Sequence, residues 1–499
     1  MRQRETHRDR DRDREKCVLG VVGVETMASK SPEDVTWTGR GLDTNECERY
    51  ARQLCLPKFG INSQKKLKDA AVLVVGCGGL GSPVCLYLAA AGVGTLGVVD
   101  HDEVDKSNLH RQILHQESKV GVHKALSAAD AIAKINSGTK VETHLDGFRP
   151  ASALDLVAKY DVVVDASDNP ATRYCINDAC VIAGRPLVSG AAIGTDGQLS
   201  VYNHGKESPC YRCIWPDPPE SGTCQRCSDA GVLGVLPGII GTLQALEAIK
   251  VITGVGDCST NKLLMFDGMS TSFRSLKLRP RQDKCIVCGS KPQITAANLA
   301  KYDYERNCGG PMHDKDGLCL KVLPDSNRLS CKALKGRLSE RKANPKGEEP
   351  PKNSSSSSSG IRPKPSFLLI DVRPRAEYDF ASLSGSISLP MREIEDRLES
   401  CLEPNKNSDG NEQERMAYRC LLEGMVDYTD ALEPSSVITG KEREKVELPD
   451  LCVVCRRGND SQLAVEKFLK AGISKSKAFD LVGGLQQWSK EVDPSFPIY

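Results

Sequence analysis

Residues 71–91 restrict the fold more than any other stretch of this 499-residue chain. Five apolar residues, Ala71–Val75, run into Gly76-Cys77-Gly78-Gly79-Leu80-Gly81, and a helix-forming segment follows to residue 91. A strand that turns through glycines straight into a helix opens a βα unit. The glycines let backbone approach a phosphate closely, and the helix N-terminus favours an anion. The pattern continues: strand-like runs at 95–99, 161–165 and 186–189 alternate with helix-like 124–134 and 172–183. That alternation predicts an α/β, doubly wound sheet. Strand-like 197–202, 262–266 and 273–278 predict an antiparallel part, so the Rossmann-like sheet is mixed.

The length suggests about three units as a soft prior. Residues 1–45 open on alternating Arg and Asp, hold few apolar residues and read as disordered, with Met27 as an alternative start and 1–26 as a segment of open translation status. Residues 46–290 carry the first α/β unit. Residues 291–365, with Pro345, Pro350, Pro351 and the serines 354–359, read as a flexible linker that lets two domains meet. A second α/β unit spans 366–499, with 402–449 as an inserted surface loop.

Lys plus Arg is 67 and Asp plus Glu is 66, a net charge of +1. This balance argues against a dominant nucleic-acid or membrane-surface role. No unbroken apolar run approaches the ~20 residues of a membrane span. The run at 18–24 is short, and the charges before it alternate in sign, unlike the positive flank of a secretory signal. In this context 21 cysteines fit metal ligation and thiol chemistry better than disulfides, which points to a reducing compartment, the cytosol by default.

The glycine-rich turn alone suits an NAD-dependent oxidoreductase as well as an ATP enzyme. Asp100, ending the next strand, suits ribose hydroxyls in either. The segment that follows, Asp100 to Gln112, with Lys124 and Asp165-Ala166-Ser167-Asp168-Asn169, separates them. Arg111 and Lys124 suit charge developing on pyrophosphate, and Asp168 at a strand end suits Mg²⁺. The competing reading places Arg111 and Lys124 on a solvated helix face.

Arg49-Tyr50-Ala51-Arg52-Gln53, the glycine-rich turn, Ser107-Asn108-Leu109-His110-Arg111-Gln112, Lys124 and Ser167-Asp168-Asn169 resemble the ubiquitin-activating-like (ThiF/MoeB-like) adenylyltransferases over 46–290. The resemblance implies ATP and Mg²⁺ at Gly78, Asp100, Ser107, Asn108, Leu109, His110, Arg111, Lys124, Asp168 and Asn169. It implies a homodimer in which Arg52 reaches the partner subunit's phosphates, and a ubiquitin-fold sulfur carrier ending in Gly-Gly as substrate.

Four Cys-x-x-Cys pairs stand at 210/213, 224/227, 285/288 and 452/455. Two such pairs make a closed tetrahedral Zn²⁺ site. Cys285 and Cys288 sit in a knuckle-like context and Cys210 and Cys213 in a turn-like one. The family resemblance selects the same four, with a structural role. The competing reading is cysteines buried as small apolar groups. Cys227 follows a Pro-rich stretch and precedes the apolar helix-like 232–252, a setting that lowers a thiol pKa. By resemblance Cys227 is the reactive cysteine of the first unit. Cys224 is its rival, as a redox partner or alternative ligand.

Cys455 ends a strand-like run, and Arg456-Arg457-Gly458-Asn459-Asp460 leads to a helix-like 462–471. A short loop closing on a helix start gathers backbone N–H groups about an anion, and the two arginines are expected to lower the thiol pKa further. The competing reading is a buried core cysteine. Leu369-Ile370-Asp371-Val372-Arg373, Gly385 to Pro390 and Gly483-Gly484-Leu485-Gln486-Gln487-Trp488 are similar to a rhodanese domain over 366–499. The resemblance makes Cys455 the persulfide carrier, with Asp371 and Arg373 in support. Ser382 stands where relatives often have His. Cys452, three residues before Cys455, is a second thiol expected to be able to trap a disulfide.

Together the two halves resemble the adenylyltransferase–sulfurtransferases of the molybdopterin-synthase and tRNA-thiolation pathways. This implies ATP, Mg²⁺ and Zn²⁺, a cysteine desulfurase as sulfur donor, and no direct nucleic-acid or membrane partner. A ubiquitin-like-protein activator with a non-catalytic rhodanese-like docking module stays open beside it.

Overall fold

Val72 and Val74 pack to one side of a strand while Leu73 and Val75 pack to the other, all fully or almost fully buried. A strand apolar on both faces belongs inside a parallel sheet covered by helices. In the computed structural model it is β1 (Ala71–Val75), at the centre of an eight-stranded sheet. The structure describes residues 41–218, 231–308, 312, 320–343, 367–399, 410–423 and 448–498. Contacts divide the chain into two units, 1–314 and 315–499.

In the first unit α1 (Thr44–Leu54) and α2 (Gly60–Asp69) precede β1. The chain then runs α3 (Gly81–Ala91), β2 (Thr95–Val99), α4 (Lys124–Ile135), β3 (Lys140–His144), α5 (Pro150–Val157), β4 (Val162–Asp165), α6 (Pro170–Ile182) and β5 (Leu187–Ile193). After β6 (Asp196–Tyr202) come α7 (Tyr211–Ile214), α8 (Val235–Thr253), β7 (Lys262–Asp267), β8 (Ser272–Lys277) and α9 (Tyr304–Cys308). The strand order is β3-β2-β1-β4-β5-β6-β7-β8, parallel through β5 and antiparallel beyond it. The mixed Rossmann-like sheet is as the sequence predicts. Helices α3, α4 and α8 cover one face, and α5, α6, the 285–308 segment and Met312 the other.

Helix α8 is, among the described residues, the one helix long and apolar enough to cross a membrane, with a mean hydropathy of 1.5. It packs against α3, β5 and β6 instead. Its Gln244 is fully buried and donates to the Asp165 carbonyl at 2.7 Å, which fits a core helix.

In the second unit β9 (Arg328–Leu329), α10 (Cys331–Ala343), β10 (Phe367–Asp371), α11 (Arg375–Phe380), β11 (Ser386–Ser388), α12 (Met391–Glu399) and α13 (Gly410–Leu422) precede β12 (Asp450–Val454), α14 (Asp460–Lys470), β13 (Ala478–Leu481) and α15 (Gly484–Glu491). All strands are parallel, in the order β11-β10-β12-β13-β9.

Two expectations need correction. Much of 291–365 is not a linker. Ile294, Leu299, Tyr304 and Cys308 are buried in the first unit, and the Tyr304 hydroxyl donates to Asp178 at 2.8 Å. Residues 320–343 belong to the second unit, where the Leu320 N–H donates to Asn459 Oδ1 (3.1 Å) and Asn327 donates to the Ala478 carbonyl (2.8 Å). The polar composition hid this, because the apolar anchors there are sparse and non-periodic. The 402–449 stretch is not all surface loop either. It contains α13, whose Ala417, Tyr418, Leu421 and Leu422 are buried in the core of the second unit.

Candidate nucleotide and sulfur-transfer sites

Strand register places three chain turns at one level: Val75 pairs with Val99 on one side and Asp165 on the other. Gly76, Asp100 and Ala166 therefore emerge together, where strand order reverses between β1 and β4. In open parallel sheets that reversal leaves a crevice for ligands. Gly76 has φ +98°, and a Cβ there would lie 2.6 Å from the Ala166 carbonyl oxygen. A Cβ on Gly81 would lie 1.9 Å from the Gly76 carbonyl oxygen. These two glycines are demanded by backbone meeting backbone.

Asp100 is almost fully buried. It accepts from the Cys77 N–H (2.7 Å) through Oδ2 and from the Asp102 N–H (2.9 Å) through Oδ1. It staples the glycine-rich turn to the end of β2. Burial pushes its carboxyl above the ordinary range, against the pull of Lys124 and these two N–H donors. Lys124 opens α4, is buried, and lies 3.1 Å from Asp102 Oδ2. Burial works against its charge, but Asp100, Asp102 and Asp168 outweigh it and hold the ammonium above its ordinary pKa. The solvated-face reading of Lys124 is thus excluded.

Gly78, Asp100, Arg111, Lys124, Asp168 and Asn169 line one cavity, whose wall also includes Asp102, Gln112, Phe148, Ser167 and Met312. Ser107, Asn108, Leu109 and His110 stand outside that lining. They form the turn that aims Arg111: Asn108 Oδ1 accepts from Arg111 Nη2 at 2.6 Å, and His110 Nε2 is 2.7 Å from Arg111 Nη1. Ser107 donates to Asp105 Oδ1 through its N–H and its hydroxyl, both at 2.7 Å. Asn169 caps α6 through the Thr172 N–H (2.8 Å) and donates to the Met312 carbonyl (3.1 Å). Asp168 is exposed at the cavity wall. Behind it the buried Asp165 accepts from Ser167 Oγ (2.5 Å) and Ser189 Oγ (2.9 Å) and pairs with Arg173 (3.0 Å). Arg52 lies exposed on α1 and does not line the cavity of its own chain.

Cys210, Cys213, Cys285 and Cys288 are all buried, and their sulfurs lie within 4.8 Å of one another. Three of the separations are 3.8, 3.6 and 3.3 Å. A tetrahedron with Zn–S bonds of ~2.3 Å has edges of about 3.8 Å, so the donor set fits one such ion. The knuckle is moored to α6 by Arg212, whose guanidinium forms a bidentate buried pair with Asp178 (2.8 Å on each arm) and lies 4.6 Å over the Tyr174 ring. Cys227 and Cys224 lie outside the described residues.

Cys455 follows β12 and is fully buried. Its sulfur accepts from the Gly458 N–H at 3.1 Å and lies 3.4 Å from Ser461 Oγ. The loop is held by backbone. The Leu485 N–H donates to the Cys455 carbonyl (2.9 Å) and the Gln486 N–H to the Arg456 carbonyl (3.0 Å). A Cβ on Gly484, whose φ is +60°, would lie 2.5 Å from that same Cys455 carbonyl oxygen. The Gly458 carbonyl accepts from Gln462 at 2.6 Å. One strand over, Asp371 and Arg373 form a buried pair at 2.6 Å, and Arg373 also donates to the Ala381 carbonyl.

Two expectations about this loop fail. Burial, with Asp460 second, pushes the Cys455 thiol above its ordinary pKa; the Ser461 and Gly458 groups pull the other way, and neither arginine is a leading influence. Cys452 cannot reach Cys455. The pleat sends Cys452 and Val454 into one core cluster and Val453 and Cys455 into the other, on opposite faces of the sheet. Instead Cys452 lies 3.8 Å from Arg337.

Asp102, Gln112 and Met312 were not singled out from sequence. Asp102 and Gln112 lie inside the segment that carries the site motif, a signal that was available; Met312 sits in a stretch with no pattern.

A family model described as the ThiF family matches residues 50–287. The adenylyltransferase and sulfurtransferase MOCS3-2 of Zea mays is 45% identical over 451 residues, 90% of this chain and 80% of that one. The corresponding MOCS3 proteins of Arabidopsis thaliana (40% over 462 residues, covering 92% and 87%) and Drosophila yakuba (42% over 458 residues, covering 92% and 86%) align over both units as well. Among solved structures, Escherichia coli MccB crystallised with AMPCPP and MccA is 25% identical, over 50% of this chain and 76% of that one, with a TM-score of 0.45.

Proposed function

Since the chain belongs to the family of the adenylyltransferase and sulfurtransferase MOCS3 proteins, with a ThiF-family region over 50–287, we propose that it adenylates the C-terminal Gly-Gly carboxylate of a ubiquitin-fold sulfur carrier with ATP and converts it to a thiocarboxylate. The product serves molybdenum cofactor biosynthesis, tRNA wobble-uridine 2-thiolation, or both. The observation that carries this is that one chain builds both halves: a cavity where Arg111 and Lys124 meet the glycine-rich turn, and a loop that presents Cys455 at a helix start.

A carboxylate is a poor electrophile. A carboxylate oxygen of the carrier attacks the α-phosphorus, the bond to pyrophosphate breaks, and an acyl-adenylate forms. Arg111 and Lys124 stabilise charge on the departing pyrophosphate, Asp100 holds the turn against the phosphates, and Asp168 would hold Mg²⁺, whose chemistry there would be to screen phosphate charge. Arg52 of a partner copy completes the site in a homodimer. Zn²⁺ on Cys210, Cys213, Cys285 and Cys288 would cross-link the knuckle and supplies no step.

A cysteine desulfurase loads Cys455 with a sulfane sulfur. The terminal sulfur attacks the acyl carbon, AMP leaves, and an acyl disulfide results. A Cys227 thiolate then attacks the Cys455 sulfur, releasing the thiocarboxylate and leaving a Cys227–Cys455 disulfide that a dithiol reduces. Such thiol chemistry suits the cytosol.

Mass spectrometry of a candidate carrier after incubation with ATP and a sulfur donor tests the reading, the product being one oxygen replaced by one sulfur. Cys455→Ala retains carrier-dependent pyrophosphate exchange within about twofold and forms no thiocarboxylate. Sulfur transfer by that variant removes Cys455 from the reaction.

A further inference from the structure

Beneath the glycine-rich turn lies a histidine that does not line the nucleotide cavity. His115 is buried, with Nε2 3.0 Å from the Cys77 carbonyl oxygen and Nδ1 2.9 Å from the Ser127 hydroxyl. A carbonyl oxygen only accepts, so in the neutral ring Nε2 carries the proton and Nδ1 accepts from Ser127. Ser127 stands on α4 one turn beyond Lys124. The ring therefore ties the phosphate-facing turn to the helix that carries the buried ammonium.

The consequence follows from amide geometry. Peptides in the described residues are trans, and a planar trans peptide sets its N–H opposite its C=O. With the Cys77 carbonyl turned toward His115, the Gly78 N–H of the same peptide faces away from the ring, and Gly78 is a wall of the cavity. The flanks are fixed separately: the Cys77 N–H donates to Asp100 (2.7 Å), and the Gly78 carbonyl accepts from the Ser82 N–H (2.9 Å) and hydroxyl (2.7 Å). His115 fixes the plane between them.

We propose that His115 is a positioning residue for adenylation: by holding the Cys77 carbonyl it aims the Gly78 N–H at the nucleotide's phosphates and keeps the turn at a set distance from Lys124. It touches neither nucleotide nor carrier. The proposal rests on the reading of this cavity as the ATP site.

The test is carrier-dependent ATP–pyrophosphate exchange by the full chain, with KM for ATP, KM for the carrier and kcat measured separately. His115→Leu fills the space without a donor and is expected to lower kcat/KM for ATP about 10²-fold, the scale of one misaimed backbone donor, with KM for the carrier unchanged. His115→Gln keeps an N–H donor and recovers about tenfold of that loss. Ser127→Ala frees the ring without removing it and costs a few-fold in KM for ATP. Ile132→Val, a core trimming on the same helix, controls for destabilisation and leaves KM for ATP unchanged. If His115→Leu fails to fold, the glutamine and Ser127→Ala variants decide alone.

Equal losses in the leucine and glutamine variants, tracking the fall in Tm, would make His115 merely structural and overturn the proposal. So would His115→Leu, or with it unfolded Ser127→Ala, acting within twofold of wild type. Arg111→Ala run alongside keeps the two readings apart: unchanged exchange in that variant refutes the placement of the nucleotide itself.

Discussion

The candidate nucleotide cavity lies between the ends of β1 and β4, and the Cys455 loop beside the ends of β10 and β12. Each is the place where strand order reverses among parallel strands. The cavity is built from side-chain charge: Arg111 and Lys124 against Asp100, Asp102 and Asp168. The sulfur loop is built from backbone. Its conspicuous ion pair, Asp371–Arg373, is buried one strand over, and the Cys455 sulfur meets the Gly458 N–H in a turn fixed by Gly483 and Gly484. The contrast follows the ligands. A polyphosphate carries several charges and calls for several fully charged groups, whereas one sulfur atom is enclosed by a small cup of peptide dipoles.

The largest effect expected from this contrast is in the cavity. Lys124→Met removes the ammonium but keeps the stem, leaving Asp100 and Asp102 without their buried cation. Pyrophosphate exchange is expected to fall by about 10²–10³ in kcat/KM for ATP, while persulfide loading of Cys455, followed by a persulfide-specific label, stays unchanged. Activity within a few-fold of wild type would mean that the cavity does not work through side-chain charge.

Gly484→Ala probes the other half. The added Cβ would meet the Cys455 carbonyl oxygen at 2.5 Å and the Gly458 nitrogen at 2.6 Å, at a φ that favours glycine. Loop displacement on the order of 1 Å is worth up to about 10² in rate. Thiocarboxylate formation is expected to fall by that order with pyrophosphate exchange intact. A normal rate would show that the cup tolerates movement and that the thiol's chemistry is set elsewhere.

Much of this was legible in the sequence because it rests on short-range necessity. Strand, glycine turn and helix follow one another at 71–91, and the cysteine pairs announce a tetrahedral donor set. What escaped depends on distant partners. β3 is a half-exposed edge strand, Lys-Val-Glu-Thr-His, with too little apolar alternation to stand out. The 320–322 segment reads as linker, yet it donates to Asn459 and Gln462 beside the thiol loop. The pairing of Lys124 with Asp102 and the seat of His115 join residues whose proximity is created by the fold. Asn108 and His110 belong to the motif that the resemblance assigns to the nucleotide; in the structure both side chains hold the Arg111 guanidinium.

The smallest effect concerns the thiol itself. A basic loop sequence argues for a thiolate at neutral pH, and burial argues for a thiol. The fold sides with burial. Because the charged form is disfavoured, the Cys455 pKa lies above that of an ordinary cysteine. At pH 7 the resting thiolate fraction is therefore smaller than in an exposed cysteine. Its alkylation by iodoacetamide, followed peptide by peptide in the mass spectrometer, is expected to rise about tenfold from pH 7 to pH 8 without levelling off. A rate that levels off below pH 7 would show that Arg456 and Arg457 govern the sulfur after all. The backbone cup would then be a scaffold around charge, as the nucleotide cavity is, and the contrast between the two units would dissolve.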